Sequence, residues 1–447
     1  MRVILKNGSV TVTHPGYELL RELAVFGSDG NYHELYSYSK FHKTLVTMPG
    51  FAERIVDDLG GAYGGYLVED KRAPLPAPDI EKSVSGIDEQ FRGHVSKAIV
   101  SGGGVIAVPD VIGFPAVAAS IISAYGRQGM IDRGTPISVV AVKDSRSSAR
   151  VVDELRKLRK RDVCRGADGD DILVVPYGSI RDVPRNYVGI LICEDALGCS
   201  DPSMVEAVSS FREAARWGIC ESAFGGLVDL PLEIEGLFGK VVASVKYSDA
   251  VEAGICAPVT VCWLRSPPPV GPSLNASYSI LSRVAMKGNP SFISMLSRIM
   301  NSVSGETGVV LCTDKDVSGK VSKLVGGSVD AWRVPGMRIV TVMRDIQDGV
   351  VRRAIAGPGV LAGHQIPHGV MILATCAGRD LGEVRFPWRR SLHDGDKAYL
   401  VDFSHGWDLR NGRPGVLARN DKARRCLYEE SGFNQIDVQD VEHLPFL

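Results

Sequence analysis

The sequence predicts an α/β protein: a small N-terminal α+β module followed by two lobes, each a parallel sheet covered by helices. Three observations carry this. From Glu89 onward, apolar strand-like runs alternate with helical periodicity, the pattern of a helix-covered parallel sheet. Two proline-rich breaks, Ala73-Pro74-Leu75-Pro76-Ala77-Pro78 and Ser266-Pro267-Pro268-Pro269-Val270-Gly271-Pro272, interrupt it. The length of 447 residues suits two to four domains at about 100–200 residues each.

The module, residues 1–80, has short β-type runs (Val3 to Leu5, Val10 to Val12, Leu45 to Met48) and a predicted helix from Phe51 to Leu59. Its closing proline stretch predicts an extended linker, since each proline removes a donor and restricts the residue before it. The first lobe, residues 83–265, has predicted strands at Gly104 to Val108, Ile137 to Val142, Ile172 to Val175, Val188 to Cys193 and Arg216 to Cys220. Between them, Arg150 to Arg161 places Val151, Val152, Leu155 and Leu158 on one helical face, with Arg156, Lys157, Arg159 and Lys160 largely on the other. The second proline break opens a helical connector, 266–304, and the second lobe, 305–447, starts at Gly308 to Cys312. Its later strands are predicted at Val340 to Met343, Val370 to Ala374 and Ala398 to Phe403. Ligands in such folds bind at the carboxyl ends of the strands.

Composition narrows the function. Apolar residues are 45% and charged residues 23% of the chain, values of an ordinary globular protein, which excludes collagen-like and disordered classes. Lys plus Arg (51) nearly cancels Asp plus Glu (52), so a nucleic-acid partner must be met by local basic faces. The start, Met1 to Asn7, lacks a secretory signal, and no apolar run reaches the roughly 18 residues that span a bilayer; the expectation is a cytoplasmic chain without a membrane partner. The nine cysteines have no zinc-ligand spacing and read as free thiols. His364 and His368 are four apart without a third ligand and read as loop residues, so no metal site is expected.

Taken in order, these segments resemble the superfamily 2 DExH helicases, in particular the phage recombination and excision-repair types with a small domain before two RecA-like lobes. The resemblance runs from about Leu45 to Phe433 on order and spacing. Ile87 to Ile99 resembles the helix before that family's phosphate loop, and Gly103 to Pro109 the strand leading into it. Leu237 to Val242 and Ala253 to Pro258 follow the connection out of the first lobe, and Gly395 to Phe403 with Ala423 to Tyr428 match near the end. The resemblance implies two RecA-like domains, DNA as partner, a protein partner as a further option, host cytoplasm if the gene is a phage's, and ATP with magnesium as the family's cofactors.

The chemistry-bearing positions depart from the family. A phosphate loop needs small residues, a Lys and a Ser or Thr. Here P-T-G-x-G-K-T is replaced by Pro109-Asp110-Val111-Ile112-Gly113-Phe114-Pro115, with Phe114 at the lysine and Pro115 at the hydroxyl position. The Asp-Glu-x-His positions hold Glu194 and Asp195 in inverted order, then Ala196 and Leu197. Of Q-x-x-G-R-x-x-R, aligned with Glu383 to Arg390, only Arg390 remains and Pro387 fills the first arginine position. Glu194, Asp195 and Arg390 are thus remnants of a catalytic set, and Pro109, Gly113, Phe114 and Pro115 of a phosphate loop. The expectation is a helicase-like protein without hydrolysis or bound cofactor. It contacts DNA through Arg156, Lys157, Arg159, Lys160, Arg385 and Arg389; Trp217, Trp332 and Trp388 read as core or interface residues. An active divergent ATP-dependent helicase and a scaffold without DNA contact stay open as alternatives.

Overall fold

The computed structural model describes residues 2–13, 15, 19–20, 23–26, 32–62, 67–109, 113–143, 148, 151–152, 155–156, 164–165, 172–221, 230–269, 278–303, 307–312, 315–331, 333–334, 336–357, 369–373, 398–410 and 412–446. They divide into two compact units, the first drawn from residues 1–108, 112–221 and 226–245, the second from residues 246–447 together with Pro109.

The first unit contains the N-terminal module. Strands β1 (Arg2–Lys6), β2 (Ser9–Thr13), β3 (Ala24–Phe26), β4 (Tyr32–Glu34), β5 (Tyr36–Ser39), β6 (Thr44–Thr47) and β7 (Leu67–Asp70) precede the first lobe. Five of them form a sheet of order β5-β6-β2-β1-β7, antiparallel except for the β1–β7 edge; β3 and β4 pair with each other. In β1 and β2, buried and less buried residues alternate, as expected of a sheet with one covered face. That face, Val3, Leu5, Val10, Val12 and Leu45, packs with Phe51 and Ile55, which lie at the start of the predicted helix, here Ala52–Ala62 after a short 3-10 turn.

The module is joined closely to the lobe that follows. Arg54 grips the Glu235 carboxylate with Nε and Nη2, at 2.8 and 2.5 Å, and Lys240 pairs with Glu53. Gly50 sits so near the helix Leu232–Phe238 that a Cβ on it would lie 2.6 Å from the Gly236 carbonyl oxygen and 2.7 Å from the Gly239 amide nitrogen. Backbone cannot rotate out of the way. Gly50→Ala is therefore expected to cost about 1–3 kcal/mol, the usual range for overpacking, read as a lower urea midpoint; an unchanged midpoint would show that this contact yields freely.

The first lobe's sheet comprises β8 (Gly104–Val108), β9 (Ile137–Val142), β10 (Cys164–Arg165), β11 (Ile172–Pro176), β12 (Val188–Glu194), β13 (Ala215–Glu221) and β14 (Val241–Ser244). Its order is β10-β11-β9-β12-β13-β8-β14, and every pairing is parallel. Strands β8 and β12 are buried at every residue, which explains their uninterrupted apolar character: helices cover both faces. Trp217 is fully buried and donates its indole N–H to the Ala98 carbonyl, a core role as expected. Val151, Val152 and Leu155 are buried and Arg156 exposed, matching the expected faces of that segment.

The second unit holds β15 (Val259–Arg265), β16 (Gly308–Leu311), β17 (Val329–Asp330), β18 (Arg353–Ala356), β19 (Gly369–Leu373), β20 (Ala398–Ser404), the hairpin β21 (Leu409–Arg410) and β22 (Arg413–Pro414), and β23 (Asn434–Val438). The main sheet has the order β17-β18-β16-β19-β20-β15-β23, again parallel throughout. Two expectations are corrected here. The segment Val259–Arg265, included in the first lobe when its end was set at Arg265, forms β15 and hydrogen-bonds to β20 and β23 in the second sheet. Val340 to Met343, read as a strand from its β-branched residues, lies in the helix Gly336–Gln347, where Met343 and Ile346 are buried and Arg338, Thr341 and Arg344 exposed. The apolar spacing at 339, 342, 343 and 346 is helical.

A buried polar network ties this unit to its last long helix, Val416–Glu430. The fully buried Arg424 donates Nε to Asp402 Oδ2 at 2.8 Å and Nη2 to Asp421 Oδ1 at 3.0 Å, while the Tyr428 hydroxyl donates to Asp402 Oδ2 at 2.9 Å. Asp421 also accepts the His405 backbone N–H at 2.5 Å. Burial works against the Arg424 charge, yet Asp402, Tyr428 and Asp421 outweigh it and hold its pKa above the ordinary value. Among the described cysteines, Cys193, Cys199, Cys220, Cys256, Cys262 and Cys312 are buried and Cys426 is exposed, all of them outside any disulfide.

Candidate functional site

Strands β9, β12, β13 and β8 end along the carboxyl edge of the first sheet. Since β13 separates β12 from β8, their ends stand about 10 Å apart at a strand spacing of 4.7–4.9 Å. The phosphate-loop remnant follows β8, the acidic pair closes β12, and Lys143 follows β9.

At the end of β8 come Pro109 and, after residues outside those described, Gly113 at φ +79°. Phe114 opens the helix Phe114–Tyr125 with no exposed surface, and Pro115 beside it is buried. A phosphate-binding helix start works through free backbone N–H groups and a cation reaching outward. Here Pro115 has no N–H to give, and the side chain at the lysine position is an aromatic ring turned into the core. Neither Phe114 nor Pro115 offers a side-chain cation or hydroxyl at this turn.

Glu194 ends β12 almost buried, at 6% exposure, and its Oε2 accepts the Lys143 backbone N–H at 3.2 Å. Asp195 turns into the left-handed region at φ +52°, and its Oδ2 lies 3.4 Å from Lys143 Nζ. The Tyr177 hydroxyl donates to the Glu194 carbonyl and receives the Cys199 thiol at 3.4 Å. Burial, with Cys199 close by, raises the Tyr177 pKa well above its ordinary value, so the phenol stays a neutral donor. Leu197, at the family's histidine position, packs against the core. The two carboxylates are thus held by one lysine and its amide. Among the described residues, no group of three or more His, Cys, Asp or Glu is placed to hold a metal ion.

Sequence reasoning missed Lys143, Tyr177 and Cys199. Lys143 was findable, because the residue just past a strand's carboxyl end faces this edge. Arg156 lies exposed on its segment. Lys157, Arg159, Lys160, Arg385, Arg389 and Arg390, with Trp332, Trp388, His364 and His368, lie outside the described residues.

Neither a family profile nor a curated protein matches the sequence. Solved structures do. The structure of Saccharomyces cerevisiae Dbp5 bound to RNA and ADP BeF3, an L-to-V variant, aligns with 82% of this chain and 95% of its own at a TM-score of 0.51 and 8% identity. The likeness is one of fold: this chain shares the α/β fold of the Dbp5 structure. Weaker likenesses reach T4 UvsW, with 98% of this chain covered and 99% of that one at a TM-score of 0.40 and 12% identity. A DEAD box protein of Methanococcus jannaschii covers 82% of this chain and 98% of its own at 0.39 and 12%. The shared fold accounts for both seven-stranded parallel sheets, and Gly113, Glu194 and Asp195 lie at the carboxyl edge of the first, where open α/β sheets bind their ligands. No helix among the described residues is long and apolar enough to cross a membrane.

Proposed function

We propose that this helicase-fold chain binds DNA and does not hydrolyse ATP, acting as a binding or assembly component. The observation that carries the reading is the pair Phe114 and Pro115, one fully buried and the other without an amide proton, where a phosphate loop needs a lysine and a hydroxyl. The Lys143 contact to Asp195 supports it, since a cation already stands beside the carboxylate that would otherwise face magnesium. Nucleic acid as partner is supported by the fold shared with the Dbp5 structure, which is bound to RNA, and by the exposed Arg156.

Titrating a fluorescent branched DNA tests the reading. With a few phosphate contacts, at a slope near −0.9 each, affinity falls by about 10- to 100-fold between 50 and 200 mM salt. ATP turnover is expected to stay at the buffer rate with and without DNA. DNA-stimulated hydrolysis that Asp195→Ala abolishes would overturn the proposal in favour of an active divergent helicase. Absence of DNA binding at low salt would leave a scaffold.

A further inference from the structure

A pocket of about 530 Å³ opens at the opposite, amino edge of the first sheet, where β8, β13 and β14 begin. The proline strap Ala73–Pro78 forms one wall and the glycines before β8 another. Its size falls within the 300–1,000 Å³ usual for small-molecule sites. Gly102 and Gly103, at φ +71° and +159°, line it with bare backbone.

The pocket's charges are unevenly paired. Lys240 is matched by Glu53 and Arg72 by Asp70. Glu213, exposed at the rim, accepts the Asn7 amide at 2.5 Å. Two arginines on the walls keep guanidinium nitrogens without an acceptor, although the Glu213 carboxylate lies near enough to Arg133 to favour its charge. Arg216 is only 4% exposed; its Nη1 and Nη2 reach the carbonyls of Leu237, Ser209 and Phe211, and its Nε is buried with no acceptor. Arg133, half-buried, gives Nη2 to the Ala73 carbonyl at 3.4 Å, while its Nε and Nη1 are buried without acceptors. Burial lowers the pKa of both, that of Arg216 to about 10. Three orphan guanidinium nitrogens on two side chains of one pocket is a costly arrangement, since a buried donor without an acceptor keeps its full desolvation penalty, and an anionic ligand removes that cost.

We propose that this pocket binds a small oxyanion-bearing molecule, a phosphate or a carboxylate, held between the guanidinium groups of Arg133 and Arg216. The planar fork of arginine suits either anion. A rotation of the half-buried Arg133 side chain turns its orphan donors to the ligand, and the proline strap supplies an apolar wall beside them. The site is separate from the nucleotide-facing edge and independent of the DNA reading.

Isothermal titration of the full chain with inorganic pyrophosphate and, in a second arm, citrate, against sodium chloride at matched ionic strength, tests this. Saturable heat is expected from one of the two anions, which tells phosphate from carboxylate. Arg133→Met is expected to weaken that binding at least about tenfold, the equivalent of 1.4 kcal/mol, and Arg133→Lys to weaken it less. Arg133 is chosen because the more buried Arg216 also holds three carbonyls, and circular dichroism verifies that each variant is folded. No saturable heat from either anion at millimolar concentration, or equal heat from wild type and a folded Arg133→Met, overturns the proposal. So does a variant that loses affinity only for duplex DNA, which would make the pocket a nucleic-acid contact. Failure of wild type to bind DNA would sink the preceding section's reading and leave this one standing.

Discussion

A Phe114→Lys variant is expected to unfold the first lobe rather than regain ATPase activity, although it restores the lysine of the phosphate-loop motif. The ring it removes has no exposed surface, and losing a buried Phe costs about 3–5 kcal/mol. The ammonium that replaces it adds an effective penalty of several kcal/mol for an unpaired buried ion. Set against the roughly 5–15 kcal/mol that stabilises a typical domain, the sum removes most or all of the stability. Urea unfolding followed by circular dichroism should show the first transition shifted strongly down or absent, while Phe114→Leu, closer in shape, costs about 1–1.5 kcal/mol. A folded Phe114→Lys protein that binds ATP would mean that the loop has kept its phosphate-binding shape and that only the lysine was missing.

The second large effect belongs to the second unit. Arg424→Met should destabilise it by about 3–5 kcal/mol, because Asp402 and Asp421, both buried, lose the cation that satisfies them. Asp402→Leu should be costly for the mirror-image reason, a buried guanidinium with its main carboxylate gone. The double variant is the informative one. Removing both charges leaves Asp421 as the one buried carboxylate that has lost Arg424, so the loss should fall short of the sum of the single losses by about 0.5–3 kcal/mol. Strict additivity would show that the two groups do not act as a pair.

How much of this was readable from the chain depends on whether a feature is local. Strands β8 and β12 declared themselves because a strand buried on both faces is an unbroken apolar run. The N-terminal strands β1 and β2 were readable as the short β-type runs Val3 to Leu5 and Val10 to Val12. The helix Gly336–Gln347 was misread because Ile339, Val340, Thr341 and Val342 favour strands individually, and its tertiary setting overrides that preference. Strand β15 was not anticipated and its segment fell inside the first lobe as drawn, since nothing within Val259 to Arg265 names its partners, which lie far along the chain.

The site divides in the same way. Glu194 and Asp195 at a strand's carboxyl end were visible as a motif, whereas Lys143 joins them only because β9 lies beside β12, a pairing between distant segments. The amino-edge pocket had no sequence signature. Arg133 and Arg216 look like ordinary surface arginines until burial leaves their donors without acceptors. Orphan groups are made by tertiary structure, so no motif announces them.

The placement of β15 also sets a timetable for biosynthesis. Both of its neighbours, β20 and β23, are encoded far downstream, so this strand leaves the ribosome with neither edge occupied. At about 5–20 residues per second, it waits on the order of ten seconds for β20. During that interval Val-Thr-Val-Cys-Trp-Leu is a β-prone, uncharged segment of the kind that pairs with copies of itself. The arginine that follows it and the prolines after Ser266 are what limit such pairing. A nascent chain stalled before residue 398 would carry a complete first lobe and an open, self-adhesive strand.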